Sequence, residues 1–140
     1  MRLSLSDRNV HLVDDGVDAA LRIGALSDSS LTAVKLGAVS RVLVASPAYL
    51  AARGSPSRPA DLEDHDLVAF EGLEATDAWR FSTTDVRVTP RLSVNSADTA
   101  IAAAETGLGI TRALSYQVTA AIQAGRLVPL LQAFAPRPCR

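Results

Sequence analysis

Two polar residues stand where this chain could hold a small ligand: Asn95 and Ser96, between an alternating strand pattern and an apolar helical one. Leu92 and Val94 alternate with Ser93, and Asn95-Ser96 interrupts them. Ala97, Ala100, Ile101 and Ala104 then recur at i, i+3, i+4 and i+7, which is one face of a helix. Ser96 suits the N-cap, Asp98 adds favourable charge to the first turn, and Gly107 suits the left-handed position past the last turn. Leu108 to Ile110 resumes a strand. A helix that starts straight after a strand turns free backbone N–H groups toward whatever lies beyond the strand end, and small anions bind there. Capping alone would also account for the pair, because polar caps are common. The residue types leave both readings open.

Other chemistry finds little support. His11 and His65 have no Cys or second His at ligand spacing, so no metal and no cofactor is expected. Asp14-Asp15 and the acidic residues Asp61, Glu63, Asp64 and Asp66 read as solvated faces. Gly107-Leu-Gly109 closes a helix rather than opening one, so it is no phosphate loop. Ser46 and Ser96 lack the surroundings of a nucleophile elbow. A binding module is expected, not an enzyme.

The elements that must position Ser96 follow from periodicity. Residues 2–6 and 17–23 read as strands flanking a short helix after Asp7, a βαβ unit. Residues 31–36 form a weaker strand. Val42-Leu-Val-Ala45 is a continuous apolar run, expected of a strand buried on both faces of a parallel sheet. Ser46-Pro47 opens a helix that Gly54 closes. The Pro- and Ser-rich residues 55–59 mark a passage between lobes, followed by a helical turn to His65. Short strands are expected at 67–70 and 79–81, a longer one over 86–94 broken by Pro90, and a last one at 127–131. Ser115 is the expected cap of a second helix carrying Val118 and Ile122 inward, with Gly125 at its end.

Composition bounds the function. An apolar share of 48% and a charged share of 21% allow a real core and argue against general disorder. With 14 basic and 15 acidic residues, the net charge of −1 gives no electrostatic case for nucleic-acid binding. The single cysteine, Cys139, excludes an internal disulfide framework. No apolar run reaches membrane-helix length and the first residues lack a signal peptide's apolar core, so a cytoplasmic location without membrane contact is expected.

Several stretches, taken in order, resemble the effector-binding domain of LysR-type transcriptional regulators. They include Asp18-Ala-Ala-Leu-Arg-Ile-Gly24, Ala45-Ser-Pro-Ala-Tyr-Leu50 and Pro59-Ala-Asp-Leu-Glu-Asp-His65. Trp79-Arg-Phe81, Arg91-Leu-Ser-Val-Asn-Ser-Ala-Asp98, Gly107-Leu-Gly-Ile110 and Gly125-Arg-Leu-Val-Pro-Leu-Leu131 continue the resemblance. The first two place it nearest the CrgA-like subgroup. The resemblance implies an α/β, periplasmic-binding-protein-like type 2 fold with two lobes and a small effector, expected to be anionic, in the cleft between them. It implies effector contacts at Ser6, Arg22, Ser46, Asn95, Ser96 and Ala97, although Arg22 could equally serve a structural ion pair. It also implies homo-oligomers, and DNA contact only through a helix-turn-helix domain not found in these residues.

Measured against that family's domain, the chain is expected to be truncated at both ends. The expected division is a partial first lobe at 1–58, a second lobe at 59–131 and a loose crossover at 132–140. The expected function is ligand sensing and dimerisation for transcription control. A solute-binding protein of the same fold and an α/β enzyme are the alternatives.

Overall fold

The computed structural model describes residues 1–5, 16–24, 30–73 and 77–136. Its centre is a five-stranded mixed sheet. The strands, in chain order, are β1 (Arg41–Ala45), β2 (Leu67–Phe70), β5 (Leu92–Val94), β6 (Ile110–Leu114) and β7 (Val128–Leu130). In space they run β5-β2-β6-β1-β7. A separate antiparallel hairpin is made of β3 (Ala78–Arg80) and β4 (Asp85–Arg87). The helices are α1 (Pro47–Arg53), α2 (Ala97–Glu105) and α3 (Ser115–Gln123), with 3₁₀ turns at Pro59–Asp64 and Gln132–Phe134.

The expected strand–helix–strand unit is present as β5, α2 and β6, with β2 between the two strands and parallel to both. Ala100 and Ala104 are the buried residues of α2, the face that the spacing marks out. Ser96 Oγ accepts from Thr99 N–H at 3.4 Å. At the other end Leu108 N–H donates to Ala103 O and Gly107 N–H to Ala104 O, the paired bonds of a Schellman stop. Gly107 makes that stop possible at φ 86°.

Helices α2 and α3 cover one face of the sheet, packing Ala104, Val118, Ala121 and Leu127 against Val44 and Ala113. The opposite face packs Leu43, Leu67 and Ile110 under Tyr49, Leu62 and the hairpin residues Trp79, Phe81 and Val86. Strand β6 enters this sandwich through Gly109, which is buried against the chain before β2. A Cβ built on Gly109 would overlap the carbonyl oxygen of Asp66, while Ile110 N–H bonds that same oxygen at 2.9 Å.

Four expectations need correction. Strand β1 is buried on both faces, but it runs antiparallel to both β6 and β7. It also belongs to the same sheet as residues 59–131, so a division at residue 58 would cut a central strand from its partners. The long strand over 86–94 is two strands, because residues 88–91 around Pro90 leave the ladder. Ser115 is the first residue of α3 rather than its cap, and Gln117 Oε1 accepts from Leu114 N–H at 2.9 Å instead.

Residues 1–5, 16–24 and 30–38 contain no strand, although 2–6, 17–23 and 31–36 carry strand patterns. The pattern is local, whereas a strand needs a ladder partner, and none lies alongside among the described residues. The helix expected after Asp7 lies outside the described residues.

Two outcomes follow. Gly109→Ala should destabilise the chain by about 1–3 kcal/mol in urea unfolding, since backbone must shift to admit the methyl group. Leu3, Leu21, Val34 and Leu36 are 76%, 81%, 77% and 78% exposed, and exposed apolar side chains gain by association with a second copy. Sedimentation velocity should therefore show associated species, and Leu21→Ser with Leu36→Ser should shift them toward monomer.

Candidate functional site

The carboxyl ends of β5 and β2 lie side by side, with Phe70 opposite Val94 and Glu71 N–H bonded to Val94 O at 3.0 Å. Helix α2 begins three residues beyond Val94, so its N-terminus opens at this end of the sheet. Of its first amides, Thr99 N–H is taken by the Ser96 hydroxyl and Ala100 N–H by the Ser96 carbonyl. The N–H groups of Ala97 and Asp98 have no intrahelical acceptor, as at any helix start. Asn95 is exposed beside them, while Ser96 and Ala97 are half-buried. These donors and the positive end of the helix dipole lie at the carboxyl end of the sheet, with Asp98 exposed in the first turn.

Ser46 does not share this site. Its strand runs opposite to β6, with Val44 facing Thr111, so β1 ends where β6 and β2 begin. Ser46 is 3% exposed, its Oγ accepts from Tyr49 N–H at 3.1 Å, and a Cβ on Gly107 would meet it at 3.5 Å. It thus lies at the far end of α2 from Ser96, and nine helical residues span about 13 Å. The same cap chemistry serves at both serines, but only Ser96 faces the carboxyl ends of the parallel strands. Arg22 is exposed in a stretch without helix or strand. Ser6 lies outside the described residues. The structure therefore brings together Asn95, Ser96 and Ala97 and leaves Ser46 apart from them.

Two polar groupings escaped the sequence reading. At the amino end of the parallel strands, Tyr49 Oη lies 2.9 Å from His65 Nδ1 and accepts from Asp66 N–H at 3.0 Å. Arg53 and Arg91 both reach the Asp66 carboxylate, at 3.2 and 3.4 Å, around a groove of about 310 Å³. Burial pushes the Tyr49 hydroxyl up, and burial followed by the Arg53 charge holds His65 below the usual imidazole range. Its members are scattered from residue 49 to residue 91, so no local spacing announces this network.

The second grouping is Arg112, 2% exposed on β6. Its guanidinium lies 4.6 Å from the Phe81 ring centre and 5.8 Å from that of Trp79. It donates to Arg80 O at 2.6 Å and so pins the hairpin to the sheet. Trp79-Arg-Phe81 signalled the aromatic faces in sequence, but nothing pointed to their cation. No cluster of His, Cys, Asp or Glu suited to a metal occurs among the described residues, and none of their helices is long and apolar enough to cross a membrane.

A mixed α/β sheet whose helix N-terminus opens at the carboxyl ends of parallel strands is the architecture of a small-molecule-binding lobe. Comparison with known proteins makes this specific. The family model of the LysR substrate binding domain matches residues 1–140. This chain belongs to that family, with its periplasmic-binding-protein-like type 2 fold. An HTH-type transcriptional repressor of Pseudomonas aeruginosa is 36% identical over 137 residues, covering 94% of this chain and 43% of the relative. The HTH-type transcriptional regulator CrgA of Neisseria meningitidis is 31% identical over 136 residues, covering 94% of this chain and 46% of CrgA. Among solved structures, the full-length Vibrio cholerae virulence activator AphB superposes with a TM-score of 0.84 at 26% identity. That match covers 98% of this chain and 48% of AphB. The chain therefore spans about half the length of the curated relatives it matches.

The Tyr49–His65 pair carries a pH signature. The folded ring binds its proton less tightly than the unfolded one, so the unfolded state takes up more protons as the solution acidifies. Stability should be fully present above the unfolded imidazole pKa of about 6.5 and fall as pH drops through the lower folded value. Urea unfolding followed from pH 7.5 down to 5 should show that decline, and His65→Gln should flatten it.

Proposed function

We propose that this chain is the effector-sensing and dimerising part of a cytoplasmic transcriptional regulator, and not an enzyme. In this reading a small anionic effector docks its charged end on the N-terminus of α2. The Ala97 and Asp98 amides receive it, and Asn95 and Ser96 bound it. Ser6 and Arg22 are the contacts proposed from the first lobe, while Ser46 is reserved for capping α1. The whole protein would assemble as a homo-oligomer and touch DNA through a helix-turn-helix domain of the kind its relatives are named for. The observation that carries this reading is the opening of α2 at the carboxyl ends of β2 and β5, in a chain of the LysR family. Effector binding there would favour one arrangement of the lobes by its differential affinity, which is what control of a regulator requires.

A panel of small carboxylic acids, screened by thermal shift, should contain acids that raise the melting temperature. Ala97→Asp places a fixed carboxylate on the helix N-terminus, where it suits the helix but repels an anion. It should keep the fold and abolish the shift, whereas Ser96→Gly, which leaves the amides free, should weaken binding only about fivefold. Acids that bind Ala97→Asp as tightly as wild type would count against this site.

A further inference from the structure

The groove at the amino end of the parallel strands has two guanidinium groups, Arg53 and Arg91, against the single carboxylate of Asp66. Arg53 uses both terminal nitrogens inside the fold, on Asp66 Oδ2 at 3.2 Å and on Asp64 O at 2.8 Å. Arg91 uses one. Its Nη1 lies 3.4 Å from the same Asp66 oxygen, and among the described residues its guanidinium meets no other partner. Nε and Nη2, side by side on the other edge of the plane, stay unengaged. Such an edge holds a carboxylate through two parallel bonds.

Arg91 is also set in place in advance. Its backbone N–H donates to Leu67 O at 2.9 Å, at the start of β2, while Asp66 holds the side chain from one side. A side chain already ordered loses less freedom when it makes further bonds. Beside it the groove is apolar, formed by the Tyr49 ring, by Leu108 and by Ala48 and Ala52, one turn apart on α1. The small alanines leave a trough of about 310 Å³ between α1 and the end of α2.

We infer that this groove docks an acidic segment of a partner protein, with a Glu or Asp carboxylate on the free edge of Arg91 and an aliphatic neighbour in the trough. Charge complementarity sets the sign, since the lining carries one more cation than anion. A free small molecule suits it poorly: Ala48, Ala52, Arg53, Arg91 and Thr106 are all exposed, whereas a small ligand needs most of its surface buried. A nucleic acid suits it no better, because a phosphate track needs several cations in a row and Asp66 stands between these two. A protein segment gains from the surrounding surface what the groove alone lacks. The groove meets α2 at Thr106 to Leu108, the opposite end of that helix from Ser96, and so is separate from its N-terminus.

An NMR titration of the full, nitrogen-labelled chain with the end-blocked peptide Ala-Glu-Leu-Glu-Leu-Glu-Ala tests the inference, with Gln in place of every Glu as control. Wild type and Ala97→Asp should bind the acidic peptide saturably, with a dissociation constant on the order of 1 mM or tighter and shifts centred on Ala52, Arg91 and Leu108. The Gln peptide should bind at least about tenfold more weakly. Arg91→Gln should weaken binding of the acidic peptide by about tenfold. Ala52→Glu, which puts a like charge on the exposed wall of the trough, should do the same, and it decides the matter if Arg91→Gln fails to fold. Absence of saturable binding in wild type, equal binding of the Gln peptide, or binding that survives either Arg91→Gln or Ala52→Glu would overturn the inference. Displacement by an equal concentration of inorganic phosphate or of a short single-stranded RNA would overturn it too. So would loss of binding in Ala97→Asp, which would assign the peptide to the helix terminus instead.

Discussion

The structure depends on burying β6 between two neighbours of opposite direction. It pairs in parallel with β2 and antiparallel with β1, and four of its five residues are buried. Two of those four, Thr111 and Arg112, are polar, and a polar group taken from water must be satisfied inside. Thr111 Oγ1 donates to Val68 O at 2.9 Å, a bond that also ties β6 to β2. Arg112 spends its charge on two aromatic faces and the Arg80 carbonyl, and those aromatics then become the lid of the core. Gly109 admits the strand by letting its backbone rest on that of Asp66. Helices and hairpin are arranged around this one strand.

The reversal of β1 divides the labour between the two ends of the sheet. At the amino end of the parallel strands most polar groups satisfy one another: Tyr49, His65, Asp66 and Arg53 form a closed set of bonds that Arg91 joins through Asp66. At the carboxyl end the first amides of α2 lack an intrahelical acceptor. A ligand gains most where the chain has not already satisfied itself, because only there does binding add bonds that the empty protein lacks. That asymmetry fits a sensor, and the LysR family match gives it a context.

The two serine caps show how strand direction, rather than residue chemistry, assigns a role. Ser46 and Ser96 each follow a strand, cap a helix and accept from the amide three residues on. Ser46 ends buried against the stop of α2 because its strand points the other way. Ser96 ends half-exposed at the open end of the sheet because β5 is parallel to β2.

By itself the sequence determined the local elements. The apolar spacing of Ala97, Ala100, Ile101 and Ala104, the caps at Ser46 and Ser96 and the stops at Gly54, Gly107 and Gly125 act within a few residues of themselves, so they could be read directly. The family resemblance was legible for the same reason, being an ordered series of short motifs. Tertiary structure decided everything that depends on a distant partner. Val42 to Ala45 reads as a buried strand in either direction, and only its pairing with β6 and β7 made it antiparallel and central to the sheet. The alternations at 2–6 and 17–23 are as regular as that of β5, yet the described parts form no strand, because a ladder takes two chains. The aromatic cage of Arg112 and the Tyr49 network likewise arise from residues far apart in sequence, whose meeting no local pattern encodes.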